Sequence, residues 1–204
     1  MFQTGGDDGS LLAMSPGNGP LLVLGAGPRC GSTLLQRLLS SHPDVHIWGE
    51  HAGQLRPLLA VAARTKIWAA TEGSWGRQEF AAGGYQSFMA NVTPEPGLVD
   101  EATRRFIGTL FGEPALAMGR KVWGFKEVRY GLPEAQAIQR LFPWTRVIHV
   151  VRDPRDVLRS LDAWERNHIA WPRAKTHTAV NDWLRIAASF LSLDETYKIG
   201  RAHV

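Results

Sequence analysis

A glycine-rich segment is the part of this sequence with the clearest chemical potential. Residues 25–33, GAGPRCGST, lie between a short apolar run and a helical pattern, and they contain an arginine and two hydroxyl residues. A turn of this kind directs unpaired backbone N–H groups and the positive end of a helix dipole at an anion. We therefore expect these residues to hold phosphate, with Arg29 as a bidentate partner.

The same segment has nearly the spacing of a P-loop. Read from Ala26, it matches that pattern except that Ser32 stands where the usual lysine would be. A phosphoryl transferase needs this lysine and Mg²⁺, because the group it transfers is multiply charged. A sulfuryl group carries less charge, so that Arg29 inside the loop can stabilise a leaving phosphate directly. The missing lysine argues against an ATP- or GTP-dependent kinase, which remains an alternative at this point.

Three more charged residues follow short apolar runs. Glu50 comes after VHIW, Lys126 ends KVWGFK, and Arg152 ends RVIHVVR. Ligands of open α/β sheets bind beyond the carboxyl ends of the strands, so we expect these charges at one edge of a sheet. Ser160 lies about two helical turns beyond Pro154, from where it can share a phosphate with Arg152.

Together these segments resemble the sulfotransferases that use 3′-phosphoadenosine 5′-phosphosulfate (PAPS), in particular the bacterial enzymes related to the tyrosylprotein branch. The resembling stretches are the loop, SHPDVHIWGE, FKE and VRDPRDVLRS. The resemblance implies that Arg152 and Ser160 bind the 3′-phosphate of PAPS, whose product is adenosine 3′,5′-bisphosphate. The residues it implies for the 5′-phosphosulfate are Arg29, Cys30, Gly31, Ser32 and Thr33. Cys30 departs from the family pattern, where a small polar residue is more usual.

The resemblance also implies catalytic roles. Glu50 would be the general base for an acceptor hydroxyl, and we expect partial burial near Trp48 to raise its basicity. His51 is the rival base. Lys126 and Arg29 would neutralise charge on the sulfonate and the leaving group. The alternative to these roles is plain ion pairing: Glu50 with Arg56 or Arg29, Lys126 with Glu127 or Glu134, and Arg152 with Asp153 or Asp156.

Strands that alternate with helices must position these residues. Apolar runs predict strands at 21–24, 45–48, 121–125 and 146–151, and helical spacing predicts helices after the loop and near 133–141, 154–165 and 178–197. The alternation predicts an α/β protein with a three-layer, P-loop-like fold: a mostly parallel sheet flanked by helices.

A mostly helical insertion is predicted at about residues 55–119, with one helix beginning near Asp100. Five aromatic residues fit either the core of this insertion or a lid over an acceptor. They are Trp68, Trp75, Phe80, Tyr85 and Phe88.

The two ends of the sequence differ from the rest. Residues 1–20 are rich in Gly, Ser, Asp and Pro and predict a disordered leader, so the domain is expected at 21–198. Residues 199–204, IGRAHV, resemble a translated sequencing adapter and predict a non-native tail. A C-terminal part would then be missing, which leaves a nucleotide-binding fragment without turnover as a further alternative.

The composition limits the classes of ligand and partner that we expect for this protein. A net charge of +4 without a long basic run favours a small anionic ligand over nucleic acid. The single cysteine, Cys30, favours the cytoplasm, and we expect neither a metal site nor a membrane span. The acceptor is expected to be the hydroxyl of a small molecule, glycan or phenol, whereas the sequence does not determine its identity or the oligomeric state.

Overall fold

The structure is a computed structural model of the 204-residue chain, and it describes residues 19–167, 176–191 and 199–203. The predicted leader, apart from Gly19 and Pro20, lies outside the described residues. The end of the helix predicted to reach Tyr197 lies outside them as well.

A parallel sheet of five strands forms the centre of the molecule. The strands are β1 (Leu21–Gly25), β2 (Val45–Trp48), β3 (Val122–Glu127), β4 (Arg146–Val151) and β5 (Ile199–His203). Their order is β2-β3-β1-β4-β5, and every neighbouring pair is parallel. In the central strand β1, Leu22, Val23 and Leu24 are fully buried, as expected for a strand that is covered on both faces.

Helices cover both faces of this sheet. The helices are α1 (Ser32–Ser40), α2 (Leu55–Ala70), α3 (Glu72–Gly83), α4 (Pro96–Ile107), α5 (Glu113–Ala117), α6 (Leu132–Leu141), α7 (Pro154–Asn167) and α8 (Thr176–Leu191). Val23 packs with Leu35 and Leu39 of α1 on one face, whereas Leu22 and Leu24 pack with α2, α6 and α8 on the other. The predicted three-layer, P-loop-like α/β fold is confirmed.

Strand β3 is longer than the sequence predicted. It continues past Phe125 because Lys126 and Glu127 lie in parallel register with Val23 and Leu24 of β1. Both charged residues therefore belong to the paired end of β3 rather than to the loop that follows. This position buries Lys126 and Glu127 almost completely.

The chain between β2 and β3 contains α2 to α5, a 3₁₀ turn at Gly84–Gln86 and a π-helical turn at Gly108–Gly112. The helix predicted from Asp100 begins earlier, at Pro96, a residue that favours the first turn of a helix. The aromatic residues of the insertion do not form its core. Trp75 packs on Phe88, and Tyr85 is 82% exposed, so these side chains lie at the surface.

The last strand, β5, pairs with β4 through residues that the sequence analysis assigns to a non-native tail. Backbone pairing does not depend on the origin of the residues, so this assignment stays a prediction. No helix within the described ranges is long and apolar enough to cross a membrane.

Candidate active site

The loop between β1 and α1 has the backbone of an anion cradle. Gly27, Arg29 and Gly31 all have left-handed φ values, of 78°, 64° and 94°. Helix α1 begins after Gly31 without a side-chain cap and without an acidic residue in its first turn. Among the described residues, no acceptor bonds the backbone N–H groups of residues 29–33. Backbone N–H groups without acceptors in a loop of left-handed residues, next to the start of a helix, are an arrangement that can bind phosphate.

Cys30 anchors this loop to the sheet. Its side chain is fully buried and packs with Val23, Ile47 and Val150. A Cβ atom on Gly25 would lie 2.4 Å from the Cys30 sulfur, so this close approach requires glycine at position 25. Cys30 can therefore meet a ligand only through its backbone. Of the two hydroxyl residues that follow, Ser32 is buried and Thr33 is exposed.

Arg29 connects the loop to α7. Its Nε donates to the Ser160 hydroxyl at 3.0 Å, and its guanidinium lies 4.9 Å above the centre of the Trp164 ring. Two residues assigned to different phosphates of the nucleotide are thus in direct contact. The sequence did not predict this contact or the position of Trp164 beside Arg29.

Arg152 follows β4 and has no ion-pair partner among the described residues. Its carbonyl accepts a hydrogen bond from Trp183 Nε1 at 3.1 Å, but in the described parts of the chain its guanidinium has no acidic partner. The two aspartates considered as alternatives are occupied elsewhere: Asp153 pairs with Arg155 and Asp156 with Arg159. Nor does a hydrogen bond join Arg152 to Ser160 among these residues. The guanidinium is left available to an anion.

Glu50 and Lys126 meet at the ends of β2 and β3. Lys126 Nζ donates to Glu50 Oε1, and Arg129 donates to Oε2 of the same carboxylate at 2.8 Å. The ion pairs considered in the sequence analysis are different ones. Arg56, for example, pairs with Glu134 instead. The structure thus brings together the predicted base and the predicted sulfonate-binding cation.

The expectation that Glu50 is more basic than an ordinary carboxylate is wrong. Burial raises its pKa, as expected, but the hydrogen bonds and charges of Lys126 and Arg129 outweigh burial. The net result is a pKa below the ordinary carboxyl value. Glu50 is therefore ionised at neutral pH, and it becomes a stronger base only if one of the two cations moves away.

Glu127 and Arg129 complete this network of charges, although the sequence suggested Glu127 only as an ion-pair partner of Lys126. The Glu127 carboxylate is fully buried and accepts hydrogen bonds from the N–H groups of Gly53 (2.7 Å) and Val128 (2.9 Å). Arg129 NH1 lies 2.8 Å from Glu127 Oε1, so it bridges Glu127 and Glu50. The signal in the sequence was a carboxylate placed at the end of an apolar strand, where burial demands a partner.

His51 occupies an aromatic pocket beside this network. Its Nε2 lies 2.7 Å from the Tyr130 hydroxyl, which also accepts the Leu55 N–H, and its ring packs edge-on against Phe125. Burial is the main cause that lowers the pKa of His51, and the Arg129 charge adds to it, against the opposing charge of Glu127. His51 is consequently neutral at neutral pH, with Nε2 committed to Tyr130.

The order of the strands places all these groups in a row. Along the carboxyl edge, Glu50 follows β2, Lys126 is the second-last residue of β3, the loop follows β1, and Arg152 follows β4. In the described residues, no group of His, Cys, Asp and Glu side chains is placed to hold a metal ion. The row can bind an extended anion and offers a carboxylate at one end of it.

A parallel α/β sheet with a glycine-rich loop between its central strand and a helix is typical of proteins that bind anionic nucleotides. The sequence profile of the sulfotransferase family matches residues 20–204, and the chain belongs to this family.

Curated relatives and solved structures show some similarity to the chain. The chain is 29% identical over 146 residues to protein-tyrosine sulfotransferase 1 of Danio rerio, a match that covers 70% of this chain and 35% of the relative. The Homo sapiens protein of the same name is 28% identical over 146 residues, with 70% and 34% covered. The chain thus spans about a third of the length of these relatives. A sulfotransferase domain from the curacin biosynthetic pathway is 14% identical, with 91% of this chain and 67% of that chain covered and a TM-score of 0.49.

Proposed function

We propose that this protein transfers a sulfuryl group from PAPS to a hydroxyl acceptor, with Glu50 as the general base. One observation carries the proposal. The order of the charged groups along the sheet edge matches the order in which the acceptor and the parts of PAPS would have to lie. Glu50 would face the acceptor hydroxyl, Lys126 the sulfonate, the loop the 5′-phosphate, and Arg152 the 3′-phosphate.

The residues present fit such a cofactor. The loop offers the unbonded backbone N–H groups of residues 29–33, and Gly31 lets an oxygen approach the backbone closely. Arg152 offers a guanidinium that no acidic side chain of the described residues neutralises. We propose that Arg29, Cys30, Gly31, Ser32 and Thr33 hold the 5′-phosphosulfate, with Cys30 acting through its backbone. Arg152 and Ser160 would hold the 3′-phosphate.

Bound PAPS would supply an activated sulfuryl group and a phosphate leaving group. Glu50 takes the proton from the acceptor hydroxyl as that oxygen forms its bond to sulfur, while the bond between sulfur and the phosphate oxygen breaks. Lys126 must leave Glu50 to reach the sulfonate. This exchange removes one of the two cations that lower the pKa of Glu50, so that the carboxylate gains basicity when the donor is bound.

Arg29 changes partners in the same way. In the structure it donates to Ser160 and lies over Trp164, and both contacts keep its guanidinium next to the loop. An anion in the loop would draw the guanidinium inwards, where it stabilises charge on the leaving phosphate. The Ser160 hydroxyl would then be free to bind the 3′-phosphate.

A thermal-shift comparison tests the choice of nucleotide. Adenosine 3′,5′-bisphosphate should raise the melting temperature, whereas ATP with Mg²⁺ should not, because Ser32 replaces the P-loop lysine. Stabilisation by ATP and Mg²⁺ alone would reverse the assignment in favour of a kinase.

Transfer of labelled sulfonate from PAPS to a panel of phenols, glycans and small alcohols tests turnover. This chain would be a nucleotide-binding fragment if it bound the bisphosphate but transferred no sulfonate, and if a longer product of the same gene did transfer it. We propose a cytoplasmic location, since the one cysteine is a buried free thiol, and a bacterial source, since the motifs resemble those of bacterial sulfotransferases. Fractionation of cells that express the full gene checks the location.

A further inference from the structure

One nitrogen of Arg129 lies between two carboxylates. NH1 is 2.8 Å from Glu50 Oε2 and 2.8 Å from Glu127 Oε1. The Glu127 side chain is fully buried, whereas that of Arg129 is 44% exposed and that of Glu50 33% exposed. The bridge thus connects the proposed base, at the surface of the site, to an anchor inside the protein.

Glu127 is a rigid anchor. Both of its oxygens accept backbone N–H groups, Oε2 from Gly53 and Oε1 from Val128. Gly53 belongs to the loop after β2 and Val128 to the loop after β3, so one carboxylate ties together the two loops that border the site. A carboxylate held by two N–H groups and a guanidinium has its lone pairs largely satisfied and resists reorientation.

The turn after Glu50 depends on this anchor. Ala52 and Gly53 both have left-handed φ values, of 55° and 72°, and Ala52 is one of two non-glycine residues with a positive φ in the described chain. A left-handed alanine is an unfavourable conformation that persists only where its surroundings enforce it. The hydrogen bond from Gly53 N–H to Glu127 supplies this enforcement and thereby fixes the direction in which the chain leaves Glu50.

We infer that Arg129, anchored by the buried Glu127, is a positioning residue that holds the Glu50 carboxylate by Oε2 and leaves Oε1 to receive the acceptor proton. The inference rests on the proposed function of Glu50. Once Lys126 moves to the sulfonate, Arg129 is the cation that still orients the base. Among the described residues, the Arg129 guanidinium forms ion pairs with the two carboxylates, so it acts through Glu50 rather than on the acceptor or the sulfonate.

The charged groups around Glu50 are few and can be separated. Lys126 and Arg129 contact its carboxylate, while Glu127 reaches it through Arg129, and the charge of Glu50 also acts on His51. Lys126 and Arg129 both lower the pKa of Glu50. Loss of Arg129 alone should therefore raise the pKa, with Lys126 still in place.

A carboxyl titration by ¹³C NMR on protein labelled at glutamate tests the bridge without requiring turnover. The Glu50 signal is identified by its absence in Glu50→Gln. In Arg129→Gln its midpoint should move to higher pH. Arg105→Gln is the matched control, because Arg105 pairs with Glu101 and has no contact with Glu50 or Arg129 among the described residues; it should leave the midpoint in place. An unmoved midpoint in Arg129→Gln overturns the inference.

Arg129→Lys carries the test if the glutamine variant does not fold. A lysine keeps a cation beside the buried Glu127, but its shorter reach should release Glu50, so the same shift is expected on a smaller scale. A wild-type midpoint in Arg129→Lys then counts against the bridge.

Kinetics separate this inference from the proposed function. In an active protein, Arg129→Gln should lower kcat by roughly tenfold or more, with unchanged affinity for adenosine 3′,5′-bisphosphate, because a displaced base costs rate rather than donor binding. The acid limb of the pH–rate profile should move to higher pH, as the NMR midpoint does. A moved midpoint with unchanged kcat refutes a positioning role. Absence of sulfonate transfer in the wild type refutes the proposed function instead and leaves the NMR result to decide the bridge.

Discussion

The two halves of the candidate site treat their charges in opposite ways. In the acceptor half, Glu50, Lys126, Glu127 and Arg129 neutralise one another through direct ion pairs. In the donor half, the N–H groups of residues 29–33 and the guanidinium of Arg152 have no anionic partner within the described residues. Paired charges fix the positions of their side chains before any ligand binds. Unpaired donors form a binding site whose hydrogen bonds are completed only by an anion. Substitutions in the first half should therefore change stability and turnover, and those in the second should change affinity.

The largest effect is expected for Glu127→Ala in the acceptor half. The change leaves two backbone N–H groups without acceptors in a buried place, at about 1–3 kcal/mol each. We expect a loss of roughly 3 kcal/mol in the free energy of unfolding, measured by urea denaturation. Arg152→Ala is the control from the donor half and should stay within about 0.5 kcal/mol of the wild type. Equal losses in the two variants would remove the distinction between the halves.

Glu50→Gln should lower kcat by about 10²-fold or more, as general-base contributions do. The amide keeps the shape of the side chain but accepts no proton, so the affinity for adenosine 3′,5′-bisphosphate should be unchanged by calorimetry. If turnover survives the change, His51 becomes the candidate base, in spite of its contact with Tyr130.

Arg152→Ala should weaken the binding of adenosine 3′,5′-bisphosphate by about 2 kcal/mol, the loss expected for a charge-assisted hydrogen bond. Adenosine 5′-phosphosulfate, which lacks the 3′-phosphate, is the control ligand, and its affinity should not change. A similar loss for both ligands would show that Arg152 contributes general electrostatic attraction rather than a 3′-phosphate site.

The smallest effect concerns pH and belongs to the acceptor half. Because ion pairing depresses the folded-state pKa of Glu50, its ionised form stabilises the fold at pH values above the unfolded carboxyl pKa. This contribution is lost as pH falls through the folded-state pKa. The difference in Tm between wild type and Glu50→Gln should therefore be constant near neutral pH and shrink in acid. A difference that grows in acid would mean that the pKa of Glu50 is raised rather than lowered.

Local patterns predicted the framework of the protein well. The strands β2 and β4 span the predicted residues, and the loop and the helix after it follow β1 as expected. Apolar periodicity and glycine placement act over a few residues, so a sequence reveals them directly. The same reasoning could not choose between a core and a surface position for the insertion aromatics, such as Tyr85, because periodicity reports an apolar face but not what covers it.

The partners of the charged residues depend on the tertiary structure. Glu50 and Lys126 are 76 positions apart, and Glu127 and Gly53 are 74 apart, yet each pair is in hydrogen-bond contact. The sequence analysis assigned roles to Glu50 and Lys126 separately and assigned none to Glu127. It also took burial alone as the influence on the basicity of Glu50, whereas the two cations beside it reverse the direction.

The sequence by itself determined an α/β fold, a glycine-rich loop with Arg29 in it, and charged residues near successive strand ends. Each of these follows from residue types at short spacing. Only the tertiary structure decided which charges neutralise one another, that Cys30 points into the core, and that Arg29 rests on Ser160 and Trp164. The reason is physical: strand order and register bring distant segments within a few ångströms of each other, and electrostatic partners are set at that range.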